Sequence, residues 1–150
     1  MSSKLLTFRP PRIAQFLVAA AVLLHWAIPL RLELFVNSMV GTSLITIGLY
    51  TMTAGWWQFK KQRTVICPTG TPTSLVAVGI YAITRKPMYL GIFMMLLGLA
   101  LIVGSIPFYA AAIAYFVVMD TVFCPYEEGK LLRLFGDEFV RYRTRVRRWL

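Results

Sequence analysis

Two short segments of the chain carry charged residues of the types that bind a zwitterionic ligand. In the first segment, Arg85 and Lys86 stand directly before Pro87. The guanidinium of an arginine offers a planar fork of N–H donors to a carboxylate. In the second segment, Glu127 and Glu128 supply adjacent carboxylates, which suit the ammonium end of the same ligand. Together the two segments predict a cradle for an amino-acid moiety.

Asp120 precedes the glutamate pair at helical spacing. The four residues Asp120, Cys124, Glu127 and Glu128 recur at intervals that place them along one face of a helix. Carboxylates at membrane depth are costly and usually have a partner or line a cavity, so Asp120 is predicted to be a buried partner or ligand group. A structural interpretation of the two glutamates stays open, because acidic residues also favour the first turn of a helix.

His25, Cys67 and Cys124 are weaker candidates for chemistry. A single histidine in an apolar segment more often forms a hydrogen bond between helices than it acts in catalysis. Two cysteines are too few for a disulfide framework, and neither has a neighbour in sequence that would activate a thiolate. The sequence shows no zinc-type cluster, so no metal site is predicted.

The elements that must position these residues are predicted to be helices in a membrane. The chain has 150 residues, 58% of them hydrophobic and only 15% charged. Ordinary soluble chains are about half apolar and about a quarter charged. The mean hydropathy of +0.67 also indicates an unusually apolar chain. This composition argues against a soluble enzyme, a disordered tail and a disulfide scaffold.

Four apolar segments approach the length of roughly 17 to 25 residues that a bilayer core requires. The predicted spans are residues 13–30, 39–59, 88–104 and 106–124. The last two are separated only by a turn at residues 104–107, which predicts a tight antiparallel hairpin. The predicted fold class is all-α: one polytopic membrane domain over residues 1–150, with about four transmembrane helices, a cytoplasmic loop and an amphipathic C-terminal helix.

Cationic residues fall almost entirely on one face of this arrangement. Of the 16 lysines and arginines, all but Arg31 lie in the N-terminal segment, in the loop between the second and third spans, or in the tail. The positive-inside rule then predicts that both termini are cytoplasmic, and we expect the membrane to be the bacterial inner membrane. This distribution explains the net charge of +10 better than nucleic-acid binding does.

The tail, residues 125–150, is predicted to be an amphipathic helix. Its apolar residues recur every three or four positions from Leu131 to Trp149. Gly136 and Asp137 indicate a break followed by a restart. A helix with such a basic face is expected to lie along anionic headgroups or to fold back onto the loop.

The order and spacing of these motifs resemble the integral-membrane methyltransferases that include isoprenylcysteine carboxyl methyltransferases and phospholipid N-methyltransferases. That family's pattern is Gly-x-Tyr-x-x-x-Arg-His/Asn-Pro-x-Tyr, then a hydrophobic hairpin, then Glu-Glu and a tail with Phe-Gly and spaced tyrosines. The matching residues are Gly79, Tyr81, Arg85, Lys86, Pro87, Tyr89, Glu127, Glu128, Leu134, Phe135, Gly136, Tyr142, Val146, Arg147 and Arg148. The resemblance covers about residues 60–150 and departs from the pattern at Lys86, which keeps a donor but has no acceptor.

The resemblance implies S-adenosylmethionine (SAM) as the methyl donor, bound at the cytoplasmic face. The donor-binding residues that it implies are Tyr81, Arg85, Lys86, Pro87, Tyr89, Glu127 and Glu128. Asp120 and Glu128 are the predicted catalytic groups, since an amine acceptor needs a base whereas a carboxylate or thiolate needs little or none. The acceptor is expected to be lipidic or a hydrophobic small molecule, and membrane lipids are the expected partners. The sequence leaves the acceptor atom and the oligomeric state open.

Two other functions stay open at this point. A membrane reductase of related helical fold has similar tail motifs, although the Glu127–Glu128 pair and the small number of spans favour methyl transfer. A non-catalytic membrane protein is the contrasting class, because the arginine-rich residues 141–148 suit binding to anionic lipid or to a partner. Saturable binding of SAM distinguishes the methyltransferase from both.

Overall fold

The computed structural model of the protein describes residues 10–27, 31, 36–62 and 72–150. Over these residues the α-helices are α1 (Pro10–Ala27), α2 (Ser38–Lys61), α3 (Pro87–Val103), α4 (Ile106–Val118) and α5 (Cys124–Arg145). A 3₁₀-helical turn, Gly79–Ala82, precedes α3, and a π-helical segment, Met119–Phe123, joins α4 to α5. The only extended pairing in this part of the chain is an isolated bridge between Arg31 and Ser105. The prediction of an all-α fold is confirmed.

The first four helices correspond to the four predicted spans. Helices α2 and α3 begin and end within two residues of their predicted bounds, and α1 begins earlier than predicted, at Pro10. Three parts of the chain lie outside the described residues: residues 28–30 of the first predicted span, residues 1–9, which are predicted to be cytoplasmic, and Cys67. Within the described ranges one helical stretch, Ile106–Arg145, is long and apolar enough to cross a membrane. Four transmembrane helices therefore stay a prediction.

Helices α2 and α3 pack as an antiparallel pair along glycines spaced seven residues apart. Gly41 and Gly48 of α2 face Gly98 and Gly91 of α3. A Cβ placed on Gly48 would lie 2.5 Å from the carbonyl oxygen of Gly91, and the reciprocal distance is also 2.5 Å. A seven-residue period keeps small residues on one helix face, and such rows let the backbones of membrane helices approach closely.

The central helix of the protein is α3. It packs against α2 on one side and against α4 and α1 on the other, and α1 also packs against α4. The core between α1, α3 and α4 includes Tyr115, Met119 and Phe123, none of which is exposed to solvent. Because α3 is central, the residues of its first turn lie beside the π-helical segment and α5, which follow α4.

A tight hairpin joins α3 to α4, as predicted. Gly104 ends α3 in the left-handed conformation (φ 65°, ψ 30°), which a glycine adopts without steric cost. Ser105 is extended and α4 begins immediately after it, with a proline in the first turn. His25 Nδ1 lies 2.8 Å from Ser105 Oγ and so joins α1 to this turn. The predicted interhelical hydrogen bond of His25 is confirmed.

The tail is continuous with the fourth helix, because the π-helical segment leads directly from α4 into α5. The N–H of Cys124 bonds to the carbonyl oxygen of Met119, five residues before it, in a widened π turn. Such a turn accommodates Pro125, which has no N–H and whose ring crowds the preceding turn of an ordinary α-helix. The predicted break is confirmed at Gly136 (φ 47°, ψ −122°). Residues 146–150, here called the C-terminal strap, follow α5.

We expect Gly48→Ala to lower the free energy of unfolding by about 1 to 3 kcal/mol, because the added methyl group must push two helix backbones apart. Gly129→Ala is the matched control in α5, since no heavy atom lies within 4 Å of a Cβ added there. Alanine is favoured over glycine inside a helix by roughly 0.5 to 1 kcal/mol, so this control keeps or raises the stability. Thermal unfolding of the two purified variants measures the difference. Equal melting temperatures would contradict the close approach of α2 and α3.

Candidate functional site

The candidate site lies where the segment before α3, the π-helical segment, the start of α5 and the C-terminal strap meet. Thr84 Oγ1 donates a hydrogen bond to the carbonyl oxygen of Arg148 at 3.0 Å. The backbone N–H of Arg85 donates to the carbonyl oxygen of Arg147 at 3.1 Å. These two bonds hold the strap beside the residues that lead into α3.

Glu128 accepts hydrogen bonds from two arginines. Arg85 Nη1 donates to Glu128 Oε1 at 3.1 Å. Arg148 donates from Nε to Oε1 and from Nη2 to Oε2, each at 2.9 Å, which is a bidentate pair. The side chains of Arg85 and Glu128 are 9% and 11% exposed. A nearly buried carboxylate is therefore clamped between two guanidiniums from distant parts of the chain.

Asp120 joins this network through Arg148. Arg148 Nη1 and the indole N–H of Trp149 both donate to Asp120 Oδ1 at 2.9 Å. The ring of Trp149 also packs against Phe116, with 4.8 Å between the ring centroids. Asp120 and Glu128 thus share Arg148, which confirms that they lie on a common side of the long helix. Asp120 anchors the strap, and its catalytic role stays a prediction.

Glu127 forms a second cluster with Lys86 and Tyr89, adjacent to the first. Lys86 Nζ and the hydroxyl of Tyr89 both donate to the Glu127 carboxylate. Lys86 is buried, and its Nζ lies 5.7 Å from the centroid of the Tyr89 ring. A cation and an acid can be buried together because each neutralises the other. Lys86, the departure from the family pattern, supplies the cation that Glu127 needs.

Tyr81 and Pro87 lie beside these clusters and hold the segment before α3. The hydroxyl of Tyr142 donates to the carbonyl oxygen of Tyr81 at 2.7 Å, which ties α5 to the 3₁₀ turn. The ring of Tyr81 packs edge-on against Phe59, with 5.4 Å between centroids. Pro87 is buried in the first turn of α3. Donor binding by Tyr81 and Pro87 stays a prediction.

The ionic environment keeps Glu128 charged. Burial raises the pKa of Glu128, but the hydrogen bonds from Arg148 and the charges of Arg85, Arg148 and Lys86 outweigh it and lower the pKa below its ordinary value. The hydrogen bond to Glu128 in turn raises the pKa of Arg148. Burial, followed by the nearby Tyr142 and Glu127, raises the pKa of Tyr81, so its hydroxyl stays protonated at neutral pH.

Three buried polar side-chain atoms have no hydrogen-bond partner in the part of the chain that the structure describes: Ser74 Oγ, Arg85 Nε and Tyr115 Oη. Leaving such a group unpaired costs roughly 1 to 3 kcal/mol. Arg85 Nε is the one of the three that belongs to a residue of the ion network. It is a donor available to an acceptor brought by a ligand.

Arg148 matches the tail motif of the family, but the resemblance assigns it no role, and the basic pattern of the tail indicates membrane anchoring. The structure places Arg148 in the ion network. Trp149 likewise appears in the sequence only as an apolar residue of the tail. Arg148 is 20 residues from Glu128 and 28 from Asp120, so no local spacing indicates these contacts. One indirect signal for such contacts is present in the sequence. Acidic residues are scarce, and acids that become buried require cations from elsewhere in the chain.

The model of the phospholipid methyltransferase family matches residues 36–138, more than half of the chain. The chain therefore belongs to this family, and the resemblance noted in its motifs is confirmed. An uncharacterized protein of Haemophilus influenzae is 36% identical over 63 residues, which are 42% of this chain and the whole of that protein. No solved structure matches the chain. The motifs also resemble the isoprenylcysteine carboxyl methyltransferases, and a specific relation to that group stays a prediction.

We expect acid to destabilise the fold partly through Glu128. Its pKa is lower in the folded state than in the unfolded chain, where a glutamate titrates near about 4.3. The stabilisation from Glu128 is therefore complete above that pH and is lost as the pH falls through the folded-state pKa. Thermal unfolding measured from about pH 7 down to about pH 3 should show this loss. Glu128→Gln should show a smaller fall over the acidic part of the range, and an unchanged profile would contradict the role of Glu128.

Proposed function

We propose that this member of the phospholipid methyltransferase family is a SAM-dependent methyltransferase whose donor binds at the two clusters around Glu127 and Glu128. The observation that carries the proposal is the direct contact between the two groups of motif residues. Arg85 and Glu128 are 43 residues apart, and Tyr89 and Glu127 are 38 apart, yet each pair is hydrogen-bonded. Family membership supports methyl transfer, and the chemistry of the clusters supports SAM as the donor.

The residues present fit the amino-acid end of SAM. That end carries a carboxylate and an ammonium group, and the site holds guanidinium and carboxylate groups side by side. The unpaired Nε of Arg85 is a buried donor that a ligand carboxylate would satisfy. Glu127 and Glu128 are acceptors for the ammonium group, and Tyr89 and Lys86 hold Glu127 in place.

The protein contributes to the reaction mainly by positioning the reacting groups. Bound SAM supplies a methyl group on a positively charged sulfur, which is transferred in line to a nucleophile. Alignment of the reacting groups can account for a large part of the rate of such a transfer. Two contacts fix Arg85 in position. Its side chain donates to Glu128, and its backbone N–H donates to the carbonyl oxygen of Arg147 in the strap.

Of the two predicted catalytic groups, Glu128 is better suited to positioning. Both of its carboxylate oxygens accept hydrogen bonds from arginines, whereas the hydrogen bonds to Asp120 use Oδ1. Asp120 is more accessible, with its side chain 35% exposed, and it lies at the edge of the network. Asp120 is therefore the proposed base for an amine acceptor, and a carboxylate or thiolate acceptor would not require it.

We place the site at the cytoplasmic face of a membrane crossed by α1 to α4. Large apolar side chains cover the outer faces of these helices, including Leu23, Trp26, Met39, Tyr50 and Ile113. Soluble monomers rarely expose so much contiguous apolar surface. The predicted one-sided distribution of cations supports the orientation, with both termini in the cytoplasm of a bacterial cell.

The proposed acceptor is a lipid or a similarly hydrophobic small molecule. A cavity of about 180 Å³ lies between α1, α2 and α3. Its lining is entirely apolar: Pro11, Ala14, Met52, Ile92, Met95 and Leu96. Ala14 and Leu96 also belong to the core cluster that contains Tyr89, so the cavity and the proposed donor site share one packed core.

We expect calorimetric titration of the protein in detergent with SAM to show saturable binding, and Arg85→Ala to weaken it by about tenfold or more. A hydrogen bond to a charged group contributes roughly 1.5 to 3 kcal/mol, and 1.4 kcal/mol corresponds to a factor of ten. Arg143→Ala is the matched control, because Arg143 is an exposed cation in the last turn of α5. It should change the affinity by less than about twofold.

Absence of saturable SAM binding by the folded wild-type protein would overturn the proposed function. Equal losses in Arg85→Ala and Arg143→Ala would show that the effect comes from general charge and not from this site. Saturable binding of a reduced nicotinamide in place of SAM would favour the membrane reductase.

For the acceptor, we expect radiolabelled methyl from SAM to enter the lipid fraction of vesicles made of phosphatidylethanolamine and phosphatidylglycerol. Asp120→Asn keeps an oxygen that can accept from Arg148 and Trp149, so it should lower this transfer by about 10²- to 10⁴-fold if Asp120 is the base, with a much smaller loss of affinity for SAM. SAM binding without label in the vesicle lipids would exclude this amine lipid as the acceptor. Unchanged transfer in Asp120→Asn would leave Asp120 only its role as an anchor of the strap.

A further inference from the structure

The C-terminal strap brings a second guanidinium next to Arg85. Val146 is extended (φ −120°, ψ 127°), and side chains alternate in direction along extended backbone. Arg147 is accordingly exposed, whereas Arg148 reaches Glu128 and Asp120. The two adjacent arginines of the strap therefore have different environments.

Arg85 and Arg148 converge on one oxygen atom. Arg85 Nη1 lies 3.1 Å and Arg148 Nε lies 2.9 Å from Glu128 Oε1. Two guanidiniums can approach one another this closely because the carboxylate between them offsets their repulsion. Glu128 thus holds the guanidinium groups of Arg85 and Arg148 side by side.

Both arginines retain donors for a ligand. The hydrogen bonds of the described residues use three of the five N–H donors of Arg148, and Arg85 Nε is buried without a partner. Arg148 is also the more accessible of the two, with its side chain 31% exposed. An incoming carboxylate can therefore reach both residues without breaking the pair with Glu128.

The charges of the network balance before any ligand binds. Arg85 and Arg148 supply two positive charges, and Asp120 and Glu128 supply two negative charges. A balanced network of this kind suits a zwitterionic ligand better than a simple anion, because a zwitterion adds one charge of each sign. This matches the amino-acid end of the proposed donor.

We propose that Arg148 and Arg85 together bind the carboxylate of the methyl donor, so that the C-terminal strap forms part of the donor site. The inference rests on the proposed function, since it takes SAM as the ligand. Asp120 and Trp149 are positioning residues in this arrangement: they dock the strap and orient the guanidinium of Arg148. Glu128 orients both arginines.

Comparison of SAM with decarboxylated SAM tests the inference, because the two ligands differ only in the carboxylate. Calorimetric titration of the full-length wild-type protein in detergent should give tighter binding of SAM by about tenfold or more. Arg148→Ala should weaken the binding of SAM by a similar factor and leave that of decarboxylated SAM within about twofold. Arg147→Ala, the neighbouring control, should leave the binding of both ligands unchanged.

Arg148→Lys keeps the test decisive if the alanine variant does not fold. Lysine retains the charge without the planar fork, so the preference for SAM over decarboxylated SAM should still fall. Circular dichroism and the melting temperature monitor the fold of each variant. Tryptophan fluorescence provides a separate readout of the strap when Trp26, Trp56 and Trp57 are replaced by phenylalanine, because Trp149 then is the remaining tryptophan.

Three results would overturn the inference. Equal weakening of both ligands in the Arg148 variants would show that Arg148 only holds the strap. An unchanged preference for SAM in folded Arg148 variants would show that Arg148 does not touch the carboxylate, with the proposed function intact. A wild-type protein that binds neither ligand would overturn the proposed function together with the inference.

Discussion

The candidate site depends on the burial of one carboxylate, that of Glu128, between two guanidiniums. Removing a charge from water costs several kcal/mol unless a partner of opposite charge is close and well oriented. Glu128 meets this requirement with Arg85, from the segment before α3, and with Arg148, from the C-terminal strap. The requirement therefore joins three distant parts of the chain. Loss of either arginine would leave a buried charge incompletely paired, so the fold and the site are linked through the same residues.

The helices provide the fixed positions that this network requires. The glycine row lets α2 and α3 approach closely, and α3 then carries Lys86 and Tyr89 at its beginning toward Glu127. The hairpin at Gly104 returns the chain as α4, and the π-helical segment carries it into α5 without a loop. Sites supported by helices in this way hold their geometry more closely than sites on free loops. The departure at Lys86 fits the same requirement, because the buried Lys86 ammonium needs the Glu127 carboxylate as its partner.

The sequence predicts the features that depend on local backbone preference or on hydrophobic periodicity. These include the four apolar helices, the hairpin at Gly104, the break at Gly136 and the hydrogen bond of His25. The sequence also predicts that the cations before the hairpin, Arg85 and Lys86, act together with the glutamates after it, Glu127 and Glu128. It predicts that they hold opposite ends of a ligand, whereas the structure shows them bonded directly to each other. Arg148 matches the tail motif of the family, but its partners and those of Trp149 could not be predicted, because these contacts join residues remote in sequence and leave no periodic signal. The seven-residue glycine row was visible in the sequence, but only the structure shows that the glycines of α2 and α3 face each other.

The central claim is that the clusters around Glu127 and Glu128 form the site of the methyl donor. Ultraviolet crosslinking of radiolabelled SAM to the folded protein, followed by identification of the labelled peptide, tests this claim most directly. We expect label within residues 81–89, 120–128 or 146–150, and loss of that label when excess unlabelled SAM competes. Competed label confined to the middle of α1 or α2 would contradict this claim.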